Sequence, residues 1–65
     1  MKYTFDFVLV SDYQDGVYIL RVVSKFPNLT EAIDWGFAEA ERIHSSRNYE
    51  KKFPGSWIKV EICVH

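Results

Sequence analysis

Only one stretch of this 65-residue chain carries a sustained helical repeat, and strand-like sequence stands on both sides of it. Leu29, Ala32, Ile33, Gly36, Phe37, Ala40 and Ile43 recur at the i, i+3, i+4, i+7 spacing that gathers side chains on one side of an α-helix. A helix with such a stripe must bury it, and in so short a chain the only cover is a sheet built from the flanking segments. Asn28 with Glu31 three residues on reads as a capping box, with Thr30 as the rival N-cap. Gly36 in mid-helix costs about 1 kcal/mol of propensity, which points to close approach of the helix to the sheet. Trp35 is the exception to the stripe, lying about 130° from its middle alongside Glu31, Ala38 and Arg42.

The flanking segments are read by their period of two. Residues 3–10 put Tyr3, Phe5, Phe7 and Leu9 on one face and Thr4, Asp6, Val8 and Val10 on the other. Residues 17–24 are rich in β-branched side chains, with Tyr18, Leu20 and Val22 assigned inward and Ile19, Arg21 and Val23 outward. Two hairpin registers join these strands, one turning at Asp15-Gly16 and the other over residues 12–15, which sets Asp6 opposite Arg21. The strictest alternation is at 57–64, with Ile58, Val60, Ile62 and Val64 inward and Trp57, Lys59, Glu61 and Cys63 outward. Between helix and last strand, residues 48–56 read as a polar, basic loop in which Pro54-Gly55 fits the centre of a type II turn. The expectation is a single α+β domain over residues 1–65, β-β-α-β in order, with strands near 3–10, 17–24 and 57–64 and a helix near 29–47. A mainly antiparallel three-stranded sheet in the order 2-1-3 is preferred, because the Phe-rich first strand suits the centre.

A chain of this size hides only roughly 60% of its unfolded surface, so a partner or a second copy would add to a thin margin. Its 48% hydrophobic and 17% aromatic content argues against disorder. Cys63 is the single cysteine, which excludes an internal disulfide and suits a reducing compartment. Asp6 interrupts the N-terminal region where a signal peptide needs an apolar core, and no run approaches the ~20 apolar residues of a membrane span. The expected location is cytoplasmic. Net charge is −1, but residues 1–41 carry three basic against seven acidic side chains, and residues 42–65 five basic against two acidic.

No phosphate loop, nucleophile motif or metal spacing is present, and His44, Cys63 and His65 are the only soft ligands. Neither an enzyme nor a cofactor is therefore expected. Three surfaces invite a partner. On the helix, Trp35, Arg42 and Glu39 share the outer side, and Trp and Arg are the residue types that most often carry interface energy; a competing reading folds Trp35 over the helix flank onto Phe26 or the long loop. On the sheet, Trp57, Ile19 and Val23 make the open face half apolar, and both outer strands are bare edges that favour a homodimer or strand addition. In the segment 42–57, Arg47, Tyr49, Lys51 and Lys52 interleave basic and aromatic groups, as single-strand nucleic-acid binders do.

The opening Tyr3-Thr4-Phe5-Asp6 strand, Asp15-Gly16 and the helix start Leu29-Thr30-Glu31-Ala32 resemble the small β-β-α cores of HicB-type antitoxins over residues 3 to about 43. The Pro-Gly-rich segment that those proteins place before the helix is missing, and no functional residue carries over. The resemblance implies a small neutraliser of a larger protein. The expected function is accordingly non-enzymatic protein–protein binding, as an inhibitor or adaptor of a size common in phages and mobile elements. Nucleic-acid binding through the basic segment and self-assembly as a homodimer are the alternatives.

Overall fold

The first strand, β1 (Lys2–Ser11), is the middle of the sheet. Its alternation delivers Tyr3, Phe5, Phe7 and Leu9 to one face, and all four are buried. Each such burial stabilises the fold by roughly 1.5–3 kcal/mol, so this face is the main source of the core. Two strands, β2 (Gln14–Lys25) and β3 (Trp57–Val64), pair antiparallel with β1, giving the order β2-β1-β3 expected from the Phe-rich first strand. The computed structural model describes residues 1–65 apart from the side chain of Gln14.

The hairpin follows the second of the expected registers at its open end and departs from it toward the turn. Near its open end it pairs Phe7 with Leu20 and Asp6 with Arg21, as the 12–15 loop requires. The ladder then slips twice, so that Val8 faces Tyr18, Leu9 faces Val17, and Ser11 faces Gln14 across a turn at Asp12-Tyr13. Each slip is a β-bulge, and the first one changes which side the following residues occupy. Tyr18, expected inward, therefore belongs to the outer face and is exposed, while Ile19, expected outward, is partly buried against the core.

The main helix, α1 (Leu29–Ser46), starts where Asn28 Oδ1 accepts the Glu31 backbone N–H at 3.0 Å, which makes Asn28 and not Thr30 the N-cap. It stops where Asn48 adopts the left-handed region at φ 58°, with the Arg47 and Asn48 N–H groups donating to the Ile43 and Ser45 carbonyls. Ala32, Gly36, Ala40 and Ile43 are the buried positions. A Cβ on Gly36 would lie 3.3 Å from Phe5 Cδ2 and 3.5 Å from Val60 Cγ2, so the helix rests over the gap between β1 and β3. The buried stripe is narrower than the helical repeat predicts. Leu29 and Phe37, both assigned to the core, are 49% and 60% exposed. Three strands are only about one helix diameter wide, and residues on the helix flanks overhang them.

Residues 48–56 are not wholly a loop. They contain a one-turn helix, α2 (Tyr49–Lys52), whose flanking rings Tyr49 and Phe53 pack against the core. Pro54-Gly55 does form the expected turn: Ser56 N–H donates to the Phe53 carbonyl at 3.0 Å, and Gly55 takes φ 81°.

Candidate interaction surface

Trp35 and Phe37 stand two residues apart and so project to nearly opposite flanks of α1. The Trp35 ring turns toward β1 and packs edge-on against Phe5 at 4.8 Å between centroids, with Phe26 at 5.5 Å and Phe7 at 6.4 Å. It is half-buried and roofs the β1–β2 side of the core. Arg42 lies apart from it, exposed and paired with Glu39 three residues back. That pairing raises the Arg42 pKa and lowers that of Glu39, the hydrogen bond between them being the main cause of each. The proposed Trp35–Arg42–Glu39 cluster is thus divided, with its tryptophan committed to packing.

The basic segment is divided in a similar way. Arg47, Lys51 and Lys52 are exposed, but the Tyr49 ring is half-buried against His44, 6.1 Å between centroids, and Arg47 Nη1 reaches its hydroxyl at 3.5 Å. The charges are free to meet phosphates, whereas the ring that would stack on a base has turned inward.

On the outer face of the sheet, four rows run across the strands. Asp6 sits between Arg21 and Glu61, and Arg21 clasps Asp6 through Nε at 2.7 Å and Nη2 at 3.2 Å. The Arg21 hydrogen bond holds the Asp6 carboxyl below the usual carboxylate range, and Tyr18 adds to the effect. To one side of this polar row, Thr4 lies between Val23 and Cys63, and its hydroxyl meets the His65 ring. To the other side are Val8 with Tyr18 and Lys59, and Val10 with Trp57. The charged row splits the apolar area in two, so Val23 and Trp57 do not form one continuous patch, and Ile19 has left this face at the bulge.

A continuous recess lies on the other flank of α1, at the β3 edge. Phe37, Ala40, Glu41 and His44 form one wall, and Ser56 with the first half of β3 forms the floor and far side, enclosing about 460 Å³. Phe37 and Trp57 are 60% and 54% exposed around it. At its inner end His44 Nε2 and Ser56 Oγ are 2.9 Å apart, Glu50 Oε2 is 3.9 Å from the same nitrogen, and Glu50 Oε1 accepts the Gly55 N–H at 3.0 Å. A serine beside a histidine has the form of a nucleophile and its base. Here the carboxylate approaches Nε2 and not the opposite ring nitrogen, so it does not orient the imidazole for proton transfer. Its contacts instead tie α2 and the Pro54-Gly55 turn to the end of α1. Among the described residues no group of three His, Cys, Asp or Glu side chains is placed to hold a metal ion.

The recess opens onto backbone that the sheet leaves unpaired. His65 N–H donates to the Lys2 carbonyl at 2.8 Å, continuing the register that pairs Thr4 with Cys63 and Asp6 with Glu61. In an antiparallel ladder hydrogen-bonded and non-hydrogen-bonded pairs alternate, so the odd-numbered residues of β3 bond to β1. The N–H and C=O groups of Ile58, Val60 and Ile62 therefore point away from the sheet, along an eight-residue strand whose pairing with β1 has no bulge.

No family model matches this chain, and no curated protein or solved structure matches it significantly. The likeness to HicB-type cores rests on the hairpin and the helix start alone. Among the described residues, no helix is long and apolar enough to cross a membrane.

Proposed function

We propose that this protein is a small protein-binding module that takes up an extended segment along β3, acting by recognition and not by catalysis. The observation that carries this reading is the coincidence of unpaired backbone at Ile58, Val60 and Ile62 with the recess beneath Phe37. Backbone hydrogen bonds from an added strand supply affinity, and a neighbouring pocket for alternate side chains supplies selectivity. The thin margin of a 65-residue fold favours the same outcome, since an added strand lengthens the sheet and covers exposed apolar surface. An inhibitor or adaptor would work in this way, by lending or borrowing one strand.

Selection of linear peptides on the folded protein tests it. The expected binders are extended sequences of alternating apolar residues, and Val60→Pro abolishes their binding by removing an outward N–H and placing a ring along the edge. Proline is tolerated at an edge position whose N–H faces solvent, so this variant should keep its circular dichroism. Phe37→Asp provides an independent loss of binding without altering the strand. Peptide binding unchanged in both variants, or a preference for single-stranded oligonucleotides that collapses with salt, would overturn the reading.

A further inference from the structure

Deepening the strand-addition reading, on which it rests, we infer that the segment this edge accepts is β3 of a second copy, paired antiparallel about a two-fold axis at Val60. The strand carries the matching pattern within itself. Among two-fold antiparallel registers of residues 57–64, only the one centred on Val60 sets Lys59 opposite Glu61 of the second copy, and it does so twice. In a single chain these two side chains already form an ion pair at 3.2 Å on the outer face, so the dimer completes a ring of four alternating charges. Opposite charges directly across two strands favour a register, and like charges disfavour it.

Four further features fit that register. It uses nearly the whole strand, joining Ile58 to Ile62 and Trp57 to Cys63 of the second copy. It places Val60, whose N–H and C=O face outward, in a pair that exchanges both hydrogen bonds with its own image. Lys59 and Glu61 then fall in the pairs where side chains approach more closely. Finally, the helices have room. Because α1 lies over the gap between β1 and β3 at Gly36, its axis and that of its copy stand about two strand spacings apart, roughly 10 Å, within the range of packed helices. Phe37, exposed on the flank that faces the axis, fills that space from both sides. The product is a six-stranded sheet with both helices on one face and a two-fold, self-complementary contact.

Charge exchange tests the register. The wild-type chain is expected to sediment as a dimer at high micromolar concentration. Lys59→Glu or Glu61→Lys alone should raise the dimer dissociation constant about tenfold, by opposing like charges at two places. A one-to-one mixture of the two variants should restore wild-type affinity, because each Glu then meets a Lys. These are exposed positions, and melting curves verify folding before association is measured. As a second arm, Trp57→Cys should form a disulfide-linked dimer through Cys63 under mild oxidation, since residues 57 and 63 of one strand are too far apart to bond. A dimer indifferent to the charge changes would place the contact elsewhere and overturn the inference. A wild-type monomer throughout would overturn it as well, while peptide selection independently reports whether the edge accepts other strands. If peptides bind and copies do not, the self-pairing alone is lost; if neither binds, both readings fall.

Discussion

The two edges of this sheet are built from similar residues and reach opposite states. Both outer strands pair with β1, but β2 slips register between Phe7 and Val8 and again between Leu9 and Ser11, while β3 runs without a bulge. By the ladder phase, the outward backbone at the regular end of β2 belongs to Arg21, Val23 and Lys25, two of them cationic. Bulges and edge cations are common means of discouraging a further strand. The helix repeats the asymmetry, with Trp35 closing the flank toward β1 and β2 and Phe37 leaving the flank over β3 open. Two aromatic residues of similar chemistry thus serve different ends, and their neighbours, not their type, decide which.

The largest effect is expected where that asymmetry is sharpest. Trp35→Ala should destabilise the fold by about 3 kcal/mol, since it removes the ring that packs on Phe5, Phe7 and Phe26. In a domain of this size the loss lowers the melting temperature by roughly 10–20 °C. Phe37→Ala should stay within about 0.5 kcal/mol of wild type when both are measured as dilute monomers. Equal losses would break the contrast between the flanks.

A smaller effect separates the edges themselves. Gly16 lies in the second slip of the ladder, and a Cβ added there would lie 2.8 Å from Val8 Cγ1, so the Val8 side chain or the backbone beside it must shift to admit it. Gly16→Ala should cost about 1 kcal/mol in urea unfolding, and an unchanged midpoint would show that the bulged end is loosely packed.

The smallest effect concerns the polar row that ties β2 to β1. Asp6 has its pKa lowered mainly by the Arg21 hydrogen bond. A folded-state pKa below the unfolded value contributes stability that is complete above the unfolded pKa, about 3.9, and is lost as pH falls through the lowered one. Melting temperature should therefore hold steady from pH 7 to about 5 and decline below about 4. Asp6→Asn should flatten part of that decline, leaving the part due to Glu39, which Arg42 lowers in the same direction. An acid limb identical to wild type would exclude Asp6 as a contributor.

Much of the architecture was legible in the residues. Alternation at Tyr3–Leu9 and Ile58–Ile62, the Asn28 cap and the Pro54-Gly55 turn all depend on local periodicity or local dihedral preference, which a sequence displays directly, although Val64, expected inward with that strand, is 52% exposed. The order of strands followed from a Phe-rich strand needing cover on both sides. What was not legible depended on widths and long-range phases. A helical wheel gives the angle of Phe37 but not the width of the sheet beneath it, so a stripe residue was assigned to the core and lies outside. The bulge that turns Tyr18 outward leaves no mark in a run of β-branched residues. The Ser56–His44 contact joins residues twelve positions apart through a helix end and a turn, and neither residue lies in a motif. The outward backbone of Val60 depends on the ladder phase, which only the paired strands define. On the helix, residue type alone points to Trp35 and Arg42 as a surface, whereas Trp35 packs onto Phe26, as the competing reading of it expects, and Phe37 is the aromatic residue left exposed.

The inequality of the edges also governs how far assembly could extend. A strand with two regular faces for pairing propagates without limit, as in fibrils. In the proposed dimer the far side of each sheet would end in a bulged, cation-bearing strand, so each chain would have a valence of one and joining two copies would use it up. Growth of that assembly would stop at the first step, with the bulges of β2 acting at a distance as the stop signal for β3.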